Sequence, residues 1–102
     1  MYIVVFKSTR TLESNELYDH WSEVTERLVK EVSGFIDYYG YRDPVTRIGV
    51  TIAHFESEES VKRWKELPQH LEAQELGRTD FYENYHVYVS KVEREYSWHR
   101  KP

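Results

Sequence analysis

The pattern of apolar and polar positions along the chain predicts four strands and two helical regions. Short runs rich in β-branched and aromatic residues are typical of strands, whereas apolar residues that recur every three or four positions are typical of helices. The helical regions follow the first and third strands, so the order βαββαβ predicts an α+β fold of the ferredoxin-like type with an antiparallel sheet. The predicted strands are Tyr2–Phe6, Phe35–Arg42, Arg47–Glu56 and Phe81–Tyr96.

The first helix is predicted over Asn15–Val32, with Ser14 as its N-cap and Gly34 as the residue that ends it. A stripe of apolar residues at helical spacing predicts the face that this helix buries. The residues of that stripe are Leu17, Trp21, Val24, Leu28 and Val32. Residues 8–11, between the first strand and this helix, are expected to open a loop.

The second helical region is predicted to be a bent pair. Ser57 caps a helix that carries Trp64 on its apolar side. Pro68 is expected to break this helix, because a proline inside a helix lacks a hydrogen-bond donor and clashes with the preceding turn. A short helix is then predicted from Gln69 to Leu76, with Gly77 as its stop.

The predicted sheet has two apolar faces, and two helices can cover only one of them. The first strand, YIVVF, is apolar on both faces, and the third strand places Ile48 and Ile52 on one face and Ala53 and Phe55 on the other. Large apolar patches are rare on monomers, so we expect a homodimer whose sheets pack together. The last strand, which exceeds a typical strand by roughly a factor of two, has residues to spare for reaching a partner. Alternate residues give it one face suited to a pocket or to the dimer interface: Tyr82, Asn84, His86 and Tyr88.

The length of the chain and its charge narrow the classes of partner. One domain is expected over residues 1–102, with residues 97–102 as a frayed tail. The net charge is −4 and the charged residues are interleaved without a basic stripe, so no nucleic-acid partner is expected. No apolar run approaches the length of a membrane span, so no membrane partner is expected and the predicted location is cytoplasmic.

The absence of cysteine and the spacing of the histidines limit the kinds of reactive and metal-binding site that the chain can form. The chain has no Cys, which excludes disulfides, thiolate metal sites and thiol nucleophiles. His54, His70 and His86 match no standard spacing of metal ligands, so no metal site is predicted.

The segments HFESEESVKRW and PQHLEAQELGRTDFYENYHVYVSKVEREY resemble the antibiotic biosynthesis monooxygenase family, and the similarity extends over nearly the whole chain. The resemblance implies a dimeric α+β barrel with a pocket in each subunit, between the sheet and the helices. Some members of the family oxidise hydroquinones or anthrones with dioxygen and no cofactor, and others bind and degrade haem. Related barrels include cyclases, so the resemblance implies the fold more firmly than the activity.

The quinone-forming members place a Trp on the second helix and a hydroxyl-bearing Tyr shortly after it. Trp64 fits this pattern, and His70 stands where the Tyr is expected. An imidazole has an ordinary pKa of about 6.5, which suits a general base at neutral pH. The predicted catalytic residues are therefore His70 and Trp64, and the predicted substrate-binding residues are Gln74, Phe55, Tyr39 and Arg78, the last either for an anionic group or as a solvated loop residue.

The haem-degrading members use an Asn on the first strand, a Trp on the second long helix and a His on the iron. Trp64 matches, but YIVVFKS contains no Asn and Gln74 aligns with the iron ligand, where an amide is a poor substitute for imidazole. His70 could serve only if the helix were re-registered. The leading hypothesis is cofactor-independent oxidation of a small phenolic or quinol-type aromatic by dioxygen. The alternatives are a haem-degrading monooxygenase, a barrel that binds a small hydrophobic aromatic ligand without catalysis, and a cyclase or isomerase.

Overall fold

The computed structural model describes residues 1–13 and 15–102, so the predicted N-cap Ser14 lies outside the described residues. The predicted order βαββαβ is confirmed, with the second helical region split in two. A π-helical turn over Gly77–Phe81 joins the last helix to the last strand. The elements in chain order are β1 Tyr2–Arg10, α1 Asn15–Val29, β2 Phe35–Arg42, β3 Ile48–Phe55, α2 Glu58–Glu66, α3 Pro68–Leu76 and β4 Tyr82–Lys91.

The four strands form one antiparallel sheet in the order β2-β3-β1-β4. In this register Val4 lies between Ala53 of β3 and Val89 of β4, and all three side chains point to the same side. The helices pack on this side of the sheet, as the contacts of Ala53 and Val4 with the buried core show. Alternate residues of each strand point away from the helices. The predicted division of β3, with Ala53 and Phe55 on the inward face, is confirmed.

The core lies where α1 and α2 cross β1 and β3. Phe55 and Val29 are fully buried, and they pack with three further buried side chains, Ala53, Val61 and Trp64. Burying a large apolar side chain stabilises a fold by roughly 1.5–3 kcal/mol, so this small cluster is a main source of stability in a chain of this size.

The first strand extends to Arg10, so the prediction of a loop over residues 8–11 is wrong for its first three residues. Ser8 and Arg10 are buried and continue the inward-facing row of β1. They can be buried because each has hydrogen-bond partners: the Ser8 hydroxyl accepts from Arg42 at 2.8 Å, and Arg10 donates to the carbonyl of Glu13 at 3.1 Å. In a sequence, a buried polar residue whose hydrogen-bond partner cannot be seen is not distinguishable from a polar residue of a loop.

Helix α1 ends at Val29, three residues earlier than predicted. The chain then tightens, with the amides of Glu31 and Val32 donating to carbonyls three residues back. Gly34 has a φ of 90° and lies directly before β2, beyond the helix end that it was predicted to form. The buried face is also rotated from the predicted stripe, since Val29 is fully buried while Leu17 is exposed.

Helix α3 ends at Leu76 with Gly77 as its C-cap, as predicted, but Gly77 does not stop the helical path of the chain. Its backbone is helical, with φ −58° and ψ −45°, and the chain continues as a π-helical turn to Phe81. A Cβ at Gly77 would lie 3.1 Å from the ring of Tyr82. The glycine therefore provides room for an aromatic ring, and not a left-handed turn.

The last strand is shorter than predicted and contains a change of face. It ends at Lys91, which pairs with Tyr2, the first residue of β1, so the later residues have no neighbouring strand in the sheet. A register shift between Thr9 and Arg10 pairs Tyr82 with Arg10. Because of this bulge Tyr82 lies on the helix side, whereas Asn84, His86 and Tyr88 lie on the other side, so the prediction of one common face is wrong for Tyr82.

The side of the sheet that faces away from the helices exposes large side chains. Tyr39, Tyr41, Ile48 and Tyr88 are between 45% and 78% exposed on it. Residues 92–102 continue beyond β4 and include two exposed aromatic side chains, Tyr96 and Trp98. Among the described residues, no helix combines the length and the apolar character that a membrane span needs.

Candidate functional site

A cavity of about 500 Å³ lies between the sheet and the helices. Its volume is in the range of small-molecule sites. Most of its wall is apolar or aromatic, with contributions from all four strands and from α1, α2 and α3. The polar and aromatic groups among its lining residues include Tyr18, Trp64, His70, Gln74, Arg78 and Tyr82.

Trp64 and His70 line this cavity together, stacked ring on ring. Their ring centroids are 3.8 Å apart and the ring planes differ by 18°. Trp64 lies in the last turn of α2 and His70 in the first turn of α3, and Leu67 between them is extended, with ψ 132°. The bend between the two helices therefore brings two residues that are six positions apart into face-to-face contact.

A hydrogen bond holds the two rings in place. His70 Nδ1 lies 2.9 Å from the carbonyl oxygen of Trp64. In an uninterrupted helix that carbonyl would accept from the amide four residues on, but residue 68 is proline and has no N–H. The proline thus leaves the Trp64 carbonyl available, and His70 fills the vacant donor position. Leu67 N–H adds a longer contact to the same oxygen, at 3.4 Å.

This hydrogen bond defines the tautomer of His70. A carbonyl oxygen can only accept, so Nδ1 must carry the proton and Nε2 is unprotonated in the neutral ring. The side-chain amide nitrogen of Gln74, Nε2, lies 3.4 Å from the same Nδ1, a longer contact than the 2.9 Å to the Trp64 carbonyl. Because Nδ1 donates to that carbonyl and cannot also accept from Gln74 Nε2, the opposite orientation of the amide, with its oxygen toward Nδ1, is the one consistent with this tautomer. His70 is therefore a neutral imidazole with one nitrogen free to accept a proton.

The surroundings of His70 keep it neutral. Burial lowers its pKa below the ordinary value, and the hydrogen bond to the Trp64 carbonyl opposes this only in part. Near pH 7 the neutral form of the ring therefore predominates. This is the protonation state that a general base needs before it takes a proton.

The structure brings together four of the six predicted site residues. Gln74 and Arg78 line the cavity with Trp64 and His70, and Arg78 Nη1 contacts the Tyr85 hydroxyl at 3.5 Å. Phe55 is fully buried in the core and is not one of the cavity-lining residues.

The prediction that Tyr39 binds substrate is not supported by its position. Tyr38, and not Tyr39, pairs with the inward-facing Ala53 and lines the cavity. Successive strand residues point to opposite faces, so Tyr39 is 62% exposed on the far side of the sheet. The face of β2 could not be assigned from its sequence, because apolar and aromatic residues occur on both sides.

A second polar group in the cavity was predicted only in part, because Tyr82 was placed on a face suited to a pocket or to the dimer interface and Tyr18 was not selected. Tyr18 of α1 and Tyr82 of β4 line the cavity and contact each other edge to face, with ring centroids 6.0 Å apart. The Arg10 guanidinium lies 4.0 Å from the Tyr18 ring centroid, and Arg42 donates to the Tyr18 hydroxyl at 3.4 Å. Tyr18 lies three residues before Trp21, so helical spacing could have placed it on the same face. The positions of the two arginines depend on strand pairing, which the sequence does not show.

Burial also raises the pKa of two tyrosines in this region. The pKa of Tyr82 lies well above its ordinary range, first because of burial and then because of the neighbouring Tyr18 hydroxyl. Burial raises the pKa of Tyr38 to about 12. Both hydroxyls are therefore protonated at any physiological pH and can donate hydrogen bonds.

Within residues 1–13 and 15–102, no three His, Asp or Glu side chains lie close enough together to hold a metal ion. His54 and Asp37 form a hydrogen-bonded pair on the opposite side of the sheet from the cavity. His86 stacks on Tyr88, also on that side.

Comparison with known sequences identifies a family. The family model described as antibiotic biosynthesis monooxygenase matches residues 1–76. The uncharacterized protein YqjZ of Bacillus subtilis (strain 168) is 31% identical over 94 residues, which is 92% of this chain and 81% of YqjZ.

Comparison with solved structures confirms the fold. Rv0793 from Mycobacterium tuberculosis matches with a TM-score of 0.81 and 12% identity, over 94% of this chain and 98% of that protein. SnoaB, a cofactor-independent oxygenase from Streptomyces nogalater, matches with a TM-score of 0.75 and 14% identity, over 92% of this chain and 94% of SnoaB. At such low identities the likeness shows the fold alone.

The lowered pKa of His70 predicts that the folded protein loses stability on acidification. The unfolded ring accepts a proton near the ordinary pKa of 6.5, while the folded ring accepts it only at lower pH. Stability is therefore lost as the pH falls through 6.5. Urea unfolding at neutral pH and near pH 5 should show a larger loss for the wild type than for His70→Gln. His99→Gln, in the exposed tail, is the control and should lose as much as the wild type. An equal loss in His70→Gln and the wild type would contradict the burial of a neutral imidazole.

Proposed function

The chain belongs to the antibiotic biosynthesis monooxygenase family, and from this premise we propose that it oxidises a small phenolic or quinol-type aromatic with dioxygen and without a cofactor. The observation that carries the proposal is the Trp64–His70 stack, which presents a neutral imidazole in a mostly apolar cavity. The description of SnoaB as a cofactor-independent oxygenase agrees with this chemistry.

The cavity suits a flat aromatic ligand. Trp64 contributes an aromatic side chain to the wall, and Val4, Phe6 and Ala53 provide an apolar floor on the sheet. A ligand that fills this space displaces water from the ring that is to be oxidised. Low polarity around the ligand strengthens the electrostatic interactions within the site.

His70 is the proposed general base. Its unprotonated Nε2 takes a proton from the ligand, and the hydrogen bond from Nδ1 to the Trp64 carbonyl stabilises the imidazolium that results. The same bond fixes the orientation of the ring, so little reorganisation is needed when the proton moves. Because burial lowers the pKa of His70, the neutral ring is available to take a proton, but it is also a weaker base.

The reaction balances without an added reductant. In an anthrone, His70 removes one proton from the CH₂ group opposite the carbonyl, and the electron-rich anion reduces dioxygen. The carbon–oxygen bond that forms gives a peroxide, which loses water to leave a second carbonyl. One atom of dioxygen enters the product, and the other leaves as water with the two hydrogens of the CH₂ group. The ligand itself supplies all four electrons.

The cavity lacks the first-strand Asn and the aligned His by which the haem-degrading members are expected to hold haem. The inward-facing residues of β1 are Tyr2, Val4, Phe6, Ser8 and Arg10, and none of them is an Asn. Gln74 stands at the place aligned with the iron ligand, and its amide is a weak ligand for haem iron. His70, one turn earlier, lies flat against Trp64. The proposed reaction therefore involves no haem.

We also propose that the protein is a homodimer. The side of the sheet away from the helices exposes the large side chains of Tyr39, Tyr41, Ile48 and Tyr88. Extended apolar surfaces of this kind are rare on monomers. Face-to-face packing of two such sheets would bury this surface. The exposed aromatic residues beyond β4, Tyr96 and Trp98, lie on a segment free to reach the second subunit.

The proposed base is tested by oxygen uptake with a panel of anthrones and dihydroxynaphthalenes. His70→Ala should lower turnover by about 10²–10⁴-fold, the usual contribution of general-base catalysis. His70→Tyr should recover part of this loss, because the quinone-forming members use a Tyr here. Trp64→Phe should have a smaller effect, since it keeps an aromatic wall and avoids the cavity that Trp64→Ala would leave.

The control for these variants is His99→Ala in the exposed tail, which should match the wild type. The same assay separates catalysis from simple ligand binding, because only an oxygenase consumes dioxygen. If the wild type oxidises no member of the panel above the buffer rate, the oxygenase proposal fails. If His70→Ala retains wild-type turnover, His70 is not the base.

The homodimer predicts a mass of twice 12.4 kDa by light scattering at micromolar concentration. Ile48→Glu should shift the protein toward the monomer, because a charge placed in an apolar interface is left without a partner. Leu12→Glu, which adds the same charge at an exposed position outside the sheet, should leave the dimer intact. A stable wild-type monomer at this concentration would overturn the dimer.

A further inference from the structure

We propose that Tyr18, with Tyr82 and Arg42, forms a second polar end of the cavity, which binds a hydroxyl or carbonyl oxygen on the part of the ligand farthest from His70. This inference rests on the proposed function, in that the ligand is an oxygenated aromatic. It adds to that function a class of substrate: elongated arenes that carry an oxygen atom at each end.

The two ends of the cavity are separated along β1. Val4 packs against the core that contains Trp64, whereas Ser8 contacts Arg42 at 2.8 Å. Both side chains point to the helix side, four residues apart on the strand. A strand rises about 3.3 Å per residue, so these two positions, which lie beside the two ends of the cavity, are roughly 13 Å apart along β1. This separation suits two or three aromatic rings better than one.

The hydrogen bonds at this end leave a donor for a ligand. Arg42 Nη2 donates to the Tyr18 oxygen, which occupies one of its acceptor positions. Tyr18 and Tyr82 together carry two O–H groups, and a hydrogen bond between the two hydroxyls can use only one of them. The other O–H remains to donate to an oxygen atom in the cavity, which both side chains line.

Positive charge behind the hydroxyls favours an electron-rich oxygen. Within the described part of the chain, neither Arg10 nor Arg42 forms a salt bridge with a carboxylate. Arg10 is buried against the Tyr18 ring, and Arg42 is held by the carbonyls of Ser8 and Arg47. Neutral oxygen atoms accept the hydrogen bonds of the two guanidinium groups but carry no negative charge, so the positive charges of the arginines remain uncompensated. A carbonyl or phenolate oxygen at this end would therefore be stabilised.

Packing against the sheet determines the position of the Arg42 side chain. Its guanidinium crosses directly above Gly49, where a Cβ would lie 2.6 Å from the guanidinium carbon. Any larger residue at position 49 would displace the arginine from Tyr18. Gly49 thus provides the space that lets a β2 side chain reach across β3 to the cavity.

The test compares two ligands that differ in one hydroxyl, para,para′-biphenol and para-phenylphenol. Binding is measured by calorimetry without oxygen, so that no oxidation is required. Tyr18→Phe should weaken binding of the biphenol by about 3- to 10-fold, the effect of one hydrogen bond. Phenylphenol can direct its single hydroxyl to His70 and should bind almost unchanged. Tyr82→Phe is a second, independent variant with the same expected selectivity.

Tyr41→Phe is the matched control, because it removes a tyrosine hydroxyl that is 78% exposed on the opposite side of the sheet. It should bind both ligands like the wild type. The polar end is refuted if Tyr18→Phe and Tyr82→Phe both bind the biphenol as tightly as the wild type, or weaken both ligands equally. If the selectivity is present but oxygen uptake is absent, the polar end stands and the oxygenase proposal fails.

Discussion

The hydrogen bond from His70 Nδ1 to the Trp64 carbonyl determines the arrangement on which the site depends. It spans the break between α2 and α3, where Pro68 cannot supply the amide that the carbonyl would accept from in a continuous helix. One bond therefore joins the two helices across the break, holds the two rings together and defines the tautomer of a histidine. An ordinary hydrogen bond contributes only about 0.5–1.5 kcal/mol. Its importance here is geometric, because it determines which imidazole nitrogen is free in the cavity.

At the polar end of the cavity, as at His70, hydrogen bonds to neighbouring groups hold the polar side chains in place. Ser8, Arg10 and Arg42 are placed inside the fold, and nearby carbonyls and hydroxyls accept their hydrogen bonds. A buried charge without a carboxylate is costly unless its hydrogen bonds are satisfied. The cavity thus has an apolar middle and two polar ends. Such an arrangement can orient a flat ligand along the sheet.

The sequence predicted the topology because each element has a strong local signal. The run YIVVF, the Ser57 cap and the Pro68 break are readable without tertiary information, and the stacking partners Trp64 and His70 were both selected as site residues. The errors lie where tertiary contacts override local pattern. Ser8 and Arg10 looked like a loop because their buried partners are distant in sequence. Gly77 was correctly placed at the end of α3, but it makes room for the Tyr82 ring instead of forming a left-handed turn.

The second polar end could not be predicted for a similar reason. Tyr18 has the right helical spacing, but its role depends on Arg42, which reaches it only through the pairing of β2 with β3. The bulge in β4 that turns Tyr82 inward has no sequence signal of its own. Family membership supplies the fold, while the choice of ligand depends on side chains that must be located in space.

The central claim is that His70 is a neutral imidazole with its proton on Nδ1 and a free Nε2. Long-range proton–nitrogen NMR of the histidine rings tests this directly, with His70→Gln used to assign the signals. Nδ1 of His70 should be protonated and Nε2 unprotonated at neutral pH, and the ring should titrate below the ordinary pKa of 6.5. A proton on Nε2, or a pKa above 6.5, would contradict this claim.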